Sequence, residues 1–319
     1  MGGPGAGLPA AAFPDACGPP RDTMAPPASG RAPLAVVTMV YNEGDFLPLW
    51  VRHYTGQVAA EHCYVIDHGT DDGSTGRTLP PGLNVVRIPR TPQDDSRRCV
   101  FISTFCASLL TWYETVAYTD VDELLVADPD HAGSLVELAG RLPVGGVATA
   151  VGLDVIHCPD DEAPLDWQGL VSRQRGWLRF VSSMCKPVLV RRPVAWAPGF
   201  HNIDAEPVWA PLFLLHLRYV DLPRGLARLA RTRAQPWVTP QAGSHQRVSD
   251  AAWRDMLLAM SRLPREEGVA LRLDDPVLGS WLDQVMRSAA SRAAELYRID
   301  LHLSGDRLWR VPQRLVGLF

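Results

Sequence analysis

Lysine is almost missing from this sequence: among 31 basic residues, Lys186 is the one lysine and the rest are arginine. Codon bias is the plain reading of that excess. The chain also lacks any apolar run near the ~20 residues that a membrane-spanning helix needs, so no such helix is expected. Its six cysteines, at positions 17, 63, 99, 106, 158 and 185, make no C-x-x-C pair and no zinc spacing. That excludes a thiol redox motif and a structural zinc site. Several lie inside apolar runs, where a free cysteine acts as a small hydrophobe, and a reducing, cytoplasmic setting is the simplest reading. No N-x-S/T sequon occurs. The N-terminus has no basic start followed by a long apolar stretch, so it does not read as a signal peptide. Its Pro, Gly and Ala content predicts a disordered tail over residues 1–32. A net charge of −4 leaves no electrostatic footprint for nucleic acid. The C-terminal third is mildly basic, which suits peripheral contact with an anionic inner membrane face.

What the chain does have is a regular alternation of elements. "LAVVTMV" (34–40) is a continuous β-branched run of the kind buried in a parallel sheet. The next segment, 43–58, carries a helical apolar stripe at Phe46, Leu49, Trp50 and Tyr54. Strand patterns follow at 62–68 and 83–89, a helix at 96–113 and a strand at "ETVAYT" (114–119). This β-α-β-β-α-β order predicts an α/β fold, a doubly wound, mostly parallel sheet with helices on both faces. The predicted organisation is a domain over 33–240, split into halves at 33–130 and 131–240, and a helical extension over 241–319. Helical patterns in that extension cover 250–260 and 276–299.

Ligands of such sheets bind beyond the C-terminal ends of the strands. The chemically distinctive residues fall on those ends: Asn42 and Glu43, then Asp67, then Asp120 and Asp122 in "YTDVDELL" (118–125). Three carboxylates within four positions repel one another and are costly to hold near a core. A hard divalent cation with oxygen ligands would neutralise them. Solvated strand ends, helix caps or, for Asp67, an Asx-turn are the bland alternatives.

"VVTMVYNEGDFLPLWVRHY", "YVIDHGTDDGST" and "YTDVDELL" together resemble family 2-type glycosyltransferases with the GT-A fold, in the branch where D-x-D continues into Glu and an apolar pair. The family's D-D-G-S-x-D-G-T signature aligns with residues 67–74, and His68 departs from its usual acid or amide. The resemblance covers about 34–130 well and extends loosely to about 240. It implies a metal-dependent transfer of a sugar from a nucleotide-sugar to a hydroxyl acceptor, with inversion, assisted by Mn2+ or Mg2+. The ion would stabilise charge developing on the departing diphosphate. Carried over residue by residue, Asp122 would hold the metal and Asp120 the ribose and metal shell. Asp67 would bind base or ribose, and Thr38 to Tyr41 with Asn42 and Glu43 would line the nucleotide pocket.

Three further assignments stay open in the sequence. His216, late in an apolar strand, is either a satisfied core residue or the late histidine that GT-A enzymes often supply to the metal, with His201 as the other choice. An inverting transfer also needs a general base. Asp204 is the chosen residue, with Glu206 and the acids at 160–162 as alternatives. Lys186 either contacts the diphosphate or snorkels at the surface. The acceptor is a saccharide, a lipid-linked molecule or a small molecule. Rival readings are a nucleotidyltransferase, a D-x-D phosphatase, or a carbohydrate-binding protein with a decayed site. Intact Asp67, Asp120 and Asp122 argue against decay.

Overall fold

The structure, a computed structural model, describes residues 30–76, 79–290 and 297–319. Residues 1–29, most of the expected N-terminal tail, lie outside it, whereas Ala32 already belongs to the first strand. The first half runs β1 (Ala32–Val40), α1 (Phe46–Thr55), β2 (Cys63–Asp67), β3 (Asn84–Arg87), α2 (Asp95–Leu109), β4 (Tyr113–Tyr118). It continues through β5 (Glu123–Ala127), α3 (Leu135–Arg141), β6 (Val147–Ile156), β7 (Trp177–Phe180), β8 (Pro187–Val190) and β9 (Val208–His216). The remainder is α4 (Leu222–Ala234), α5 (Asp250–Ser261), β10 (Arg265–Glu266), α6 (Pro276–Ala290) and β11 (Leu308–Arg310).

β1 is buried on both faces because helices cover both. Leu34 and Val36 pack with Phe46 and Trp50 of α1, while Ala35 and Val37 pack with Cys99 and Ile102 of α2. Alternate residues of one strand therefore feed two cores, which is why the run reads as continuously apolar. β3, β2, β1 and β4 lie side by side in that order, all parallel. The chain leaves β1 in one direction through β2 and β3 and returns on its other side as β4. A crevice opens where connections diverge in this way, and this one lies between the C-terminal ends of β1 and β4.

Beyond β4 the sheet becomes mixed. β8 is antiparallel to both β4 and β6, and β7 is antiparallel to β6 and β11. β9 runs parallel to β6 and pairs antiparallel with β5, so β5 and β9 form a ribbon leading away from the main sheet. The 241–319 segment is helical in α5 and α6, but it also returns β11 to the edge of β7 and buries Trp309 and Phe319. The expected helix over 276–299 ends at Ala290, and residues 291–296 of that expectation lie outside the described residues. α4 and α5 meet at a glycine: a Cβ on Gly225 would stand 2.2 Å from Cη2 of the buried Trp253. A helix-interior glycine costs stability by itself. At Gly225 its bare Cα is what lets the indole seat against α4.

Candidate active site

The D-x-D segment is a short link between strands. β4 ends at Tyr118, Asp120 to Asp122 turn, and β5 begins at Glu123. Glu123 closes the turn by accepting the Asp120 N–H on Oε2 at 3.0 Å, and its own N–H bonds to Asp120 O at 3.0 Å. α1 holds the link from below. Trp50 Nε1 donates to Thr119 Oγ1 at 2.9 Å, and the Tyr54 hydroxyl donates to Glu123 O at 3.1 Å while accepting from Leu125 N at 2.9 Å. The apolar stripe expected on α1 is buried throughout, and two of its aromatic tips carry these bonds.

Asp120 and Asp122 each face protein cations. Asp120 Oδ1 takes Arg98 of α2 and the Tyr118 hydroxyl, and Oδ2 takes Lys186 Nζ at 3.1 Å. Lys186 also meets Glu123 Oε1 at 2.6 Å and is 3% exposed, so it does not snorkel at the surface. Burial would raise the Asp120 carboxyl, but Arg98 and Lys186 outweigh burial and hold it below the usual range. On Asp122, Oδ2 accepts from Arg228 Nη1 of α4. Arg228 also forks onto Glu43, with Nε at 3.0 Å and Nη2 at 2.8 Å from Oε1, and lies 4.5 Å over the Phe46 ring. Burial again opposes ionisation of Asp122, and Arg228 with His216 drives its carboxyl well down. At Glu43 burial prevails and the carboxyl is raised.

His216 is placed by strand register. It stands opposite Glu123 on β5 and Asp154 on β6. Its Nδ1 bonds to Asp154 Oδ1 at 2.7 Å and its Nε2 lies 3.5 Å from Asp122 Oδ2. Burial would lower its pKa, but the bonds to Asp122 and Asp154 raise it to about 9. His216 is therefore tied to the D-x-D aspartate rather than being a core histidine.

Once a cation displaces the proton that Asp122 and Asp154 favour on His216, the imidazole nitrogen beside the Asp122 oxygen is a donor set suited to a divalent ion. A carboxylate behind the ring is the usual orienting partner of such a ligand. Among the described residues no group of three or more His, Cys, Asp or Glu converges as a complete cage. Mg2+-type sites commonly take one or two protein carboxylates and leave the rest to phosphates and water. Asp122 is one such carboxylate with His216 beside it, so these two could hold part of an ion's shell, and Arg228 already sits on the oxygen they would share.

The neighbouring strand ends carry Asn42 and Asp67. Asn42 adopts a left-handed backbone with φ 55°, a conformation that asparagine tolerates. Its Oδ1 accepts from Asp71 N at 3.0 Å and Asp72 N at 3.3 Å, and its Nδ2 donates to Asp71 Oδ1 at 2.7 Å. It thus pins the glycine-rich loop after β2. Asp67 Oδ1 accepts the Thr70 N–H at 2.7 Å, the Asx-turn alternative, and Oδ2 accepts from Arg87 and Thr75. Tyr41 lies under the Arg90 guanidinium at 3.6 Å, and Arg90 links His68 to Gln235. Thr38 is fully buried within β1, with no partner for its Oγ1. A pocket of about 220 Å3 lies between Tyr41, Asn42, Glu43, Arg228, Arg231 and Thr232. A larger cavity of about 370 Å3, between α1, β5 and the residues around Phe319, shares none of the site residues.

The segment after β8 approaches from the other side. Phe200, left-handed at φ 61°, places its ring 4.4 Å from Tyr118 and beneath Arg98. The adjoining His201 keeps Nδ1 buried and without a partner; burial, with Lys186 adding to it, lowers its pKa to about 3. Asp204 is exposed and accepts the Ala195 N–H at 2.7 Å, and Glu206 is exposed. Of the 160–162 acids, Asp161 pairs with Arg265, and Glu162 binds the backbone of Cys158 and Gly176. Those two have structural roles.

Arg98, Arg228 and Asp154 escaped the sequence reading. Asp154 did leave a signal, a lone charge inside the apolar run 147–156. Arg224, Arg228 and Arg231 recur at helical spacing, and Arg224 and Arg231 reach Asp45 beside Glu43.

No family model matches the chain and no curated protein does. Among solved structures it is similar to the mannosyltransferase PcManGT from Pyrobaculum calidifontis in complex with GDP-Man and Mn2+, at 16% identity and a TM-score of 0.30. The match covers 51% of this chain and 45% of that one. The functional reading therefore rests on this chain's own residues.

Proposed function

We propose that the chain is a glycosyltransferase that moves a sugar from a nucleotide-sugar to a hydroxyl acceptor with inversion, using a divalent cation. The observation that carries the reading is the meeting of Glu43, Asp122 and His216 through one guanidinium and one imidazole at the crevice between β1 and β4. A nucleotide at this crevice would lie against Tyr41 and Asn42, with its diphosphate toward the pocket of Glu43, Arg228 and Arg231. Asp67, buried and bonded to Thr70, Thr75 and Arg87, would bind base or ribose only by exchanging one of these partners. Asp122 and His216 would hold the ion, which stabilises charge on the leaving diphosphate when bound. Asp120, fixed by Arg98 and Lys186, would orient the ribose and the ion's shell. Lys186 keeps its charge, because Asp120 and Glu123 outweigh burial and raise it, and so adds a fixed cation beside the diphosphate. Asp204 would take the acceptor's proton, with Glu206 as the alternative.

Of the three left-handed non-glycine residues described, Asn42, Phe200 and Leu271, the first two flank the crevice, and such strain is often found at functional sites. No described helix is long and apolar enough to cross a membrane. We place the enzyme in the cytoplasm, with peripheral membrane contact through its basic C-terminal third. The deciding experiment is a thermal-shift screen of nucleotide-sugars with and without Mn2+, followed by an assay for release of the nucleoside diphosphate. Shifts and release for one donor support the reading. Absence of both across uridine, guanosine, adenosine and cytidine donors overturns it.

A further inference from the structure

The oxygen of Asp122 that faces His216 is the same oxygen that accepts from Arg228. A carboxylate oxygen has few lone-pair directions, and two cations on one oxygen repel each other. A divalent ion between Asp122 and His216 and the guanidinium on Asp122 therefore compete for one place. The side chain has somewhere else to go: its Nε and Nη2 remain anchored on Glu43, and the pocket of about 220 Å3 beside it is bounded by Arg231, Tyr41 and Asn42. The second wall of that pocket is cationic, so it suits an anion better than a second cation.

We propose that Arg228 is a resident competitor for the metal. It occupies Asp122 when no divalent ion is bound, gives up that oxygen when one binds, and turns on its Glu43 anchor toward the diphosphate pocket. This rests on the proposed function for the ion at Asp122 and His216 and for the identity of the anion. The exchange keeps Asp122 neutralised in both states, so no buried carboxylate is left unpaired. It also couples the ion to the anion, because each helps draw Arg228 away from Asp122.

The test is a titration with manganese alone, in metal-free buffer without nucleotide, of the full chain and three variants. Arg228→Met removes the competitor and keeps an apolar stem over Phe46. Arg228→Lys keeps a charge but not the fork that spans Glu43 and Asp122. Arg231→Met removes a neighbouring charge that touches Asp45 and not Asp122. Arg228→Met is expected to bind manganese about tenfold tighter than the unmodified chain, a coupling of ordinary size. Arg228→Lys should tighten it less, and Arg231→Met should change it less than twofold. The lysine variant carries the test if the methionine variant fails to fold. Equal or weaker manganese binding in the folded Arg228 variants overturns the proposal. So does an equal gain in Arg231→Met, since that would be a long-range charge effect. Tighter manganese binding in a chain that releases no nucleotide from any donor would leave the exchange standing and remove the transferase reading.

Discussion

His216 Nδ1 bonds to Asp154 Oδ1, and that bond fixes the ring so that Nε2 points at Asp122. An orienting carboxylate of this kind typically governs metal affinity by ten- to a hundredfold. His216→Ala should therefore abolish the nitrogen ligand, and Asp154→Asn should weaken manganese binding about tenfold with the ligand still present. Isothermal titration with manganese separates the two. Unchanged affinity in both variants would show that the imidazole serves only to neutralise carboxylates.

Turnover should divide the carboxylates by role. Asp122→Asn is expected to impair cation and donor binding together. Asp204→Asn should leave donor affinity nearly unchanged and lower kcat roughly a hundredfold, the usual scale for a lost general base. The amide oxygen can still accept the Ala195 N–H, so the loop should hold its shape. Full turnover in Asp204→Asn would move the base to Glu206.

Acid should destabilise the fold through His53. Burial pushes its pKa down to about 4, and its Nε2 lies 2.9 Å from Leu125 O on β5. Because the folded value lies below the unfolded ~6.5, the unfolded chain binds a proton that the folded chain refuses. Stability is then present above about pH 6.5 and is lost as pH falls toward 4, with a slope approaching about 1.4 kcal/mol per pH unit. His53→Gln should flatten the difference between urea unfolding curves at pH 7 and 5, by roughly 1–2 kcal/mol. His68, His157 and His201 are lowered too, and Asp120 and Asp122 are held below the usual carboxylate range, so acid sensitivity remains in the variant.

Gly225→Ala tests whether α4 must sit so close to α5. The added methyl meets Trp253 well inside contact distance. The helix must shift, at a cost of about 1–3 kcal/mol, although alanine favours helices more than glycine does. Because Arg228 lies one turn along α4, the variant should also weaken nucleotide binding. A melting temperature at or above that of the unmodified chain would show that the indole rotates away freely.

The parallel half of this fold was legible because its elements obey simple periods. β1, α1, β2, β3, α2 and β4 each occur where strand or helix patterning puts them, and Glu43, Asp67, Asp120 and Asp122 stand at or just past the ends of β1, β2 and β4. The flank was harder. β11, beside β7, is three residues long, too short for any period to show. The cations of the site were hidden for a different reason. Arg98, Arg228 and Lys186 reach the aspartates from α2, α4 and the residue before β8, and such long side chains converge only in three dimensions. Their number also made each arginine look ordinary. For Lys186 the sequence leaves diphosphate contact and a surface position both open, and its burial reflects paired carboxylates that a linear reading does not bring together.

That burial has a chemical consequence. With its single lysine sealed between Asp120 and Glu123, the folded protein presents no ε-amine to acylating reagents. Covalent amine tagging beyond the α-amino group would thus mark molecules whose D-x-D turn has come apart. One mass increment on the peptide containing position 186 becomes a clock for how often the crevice opens.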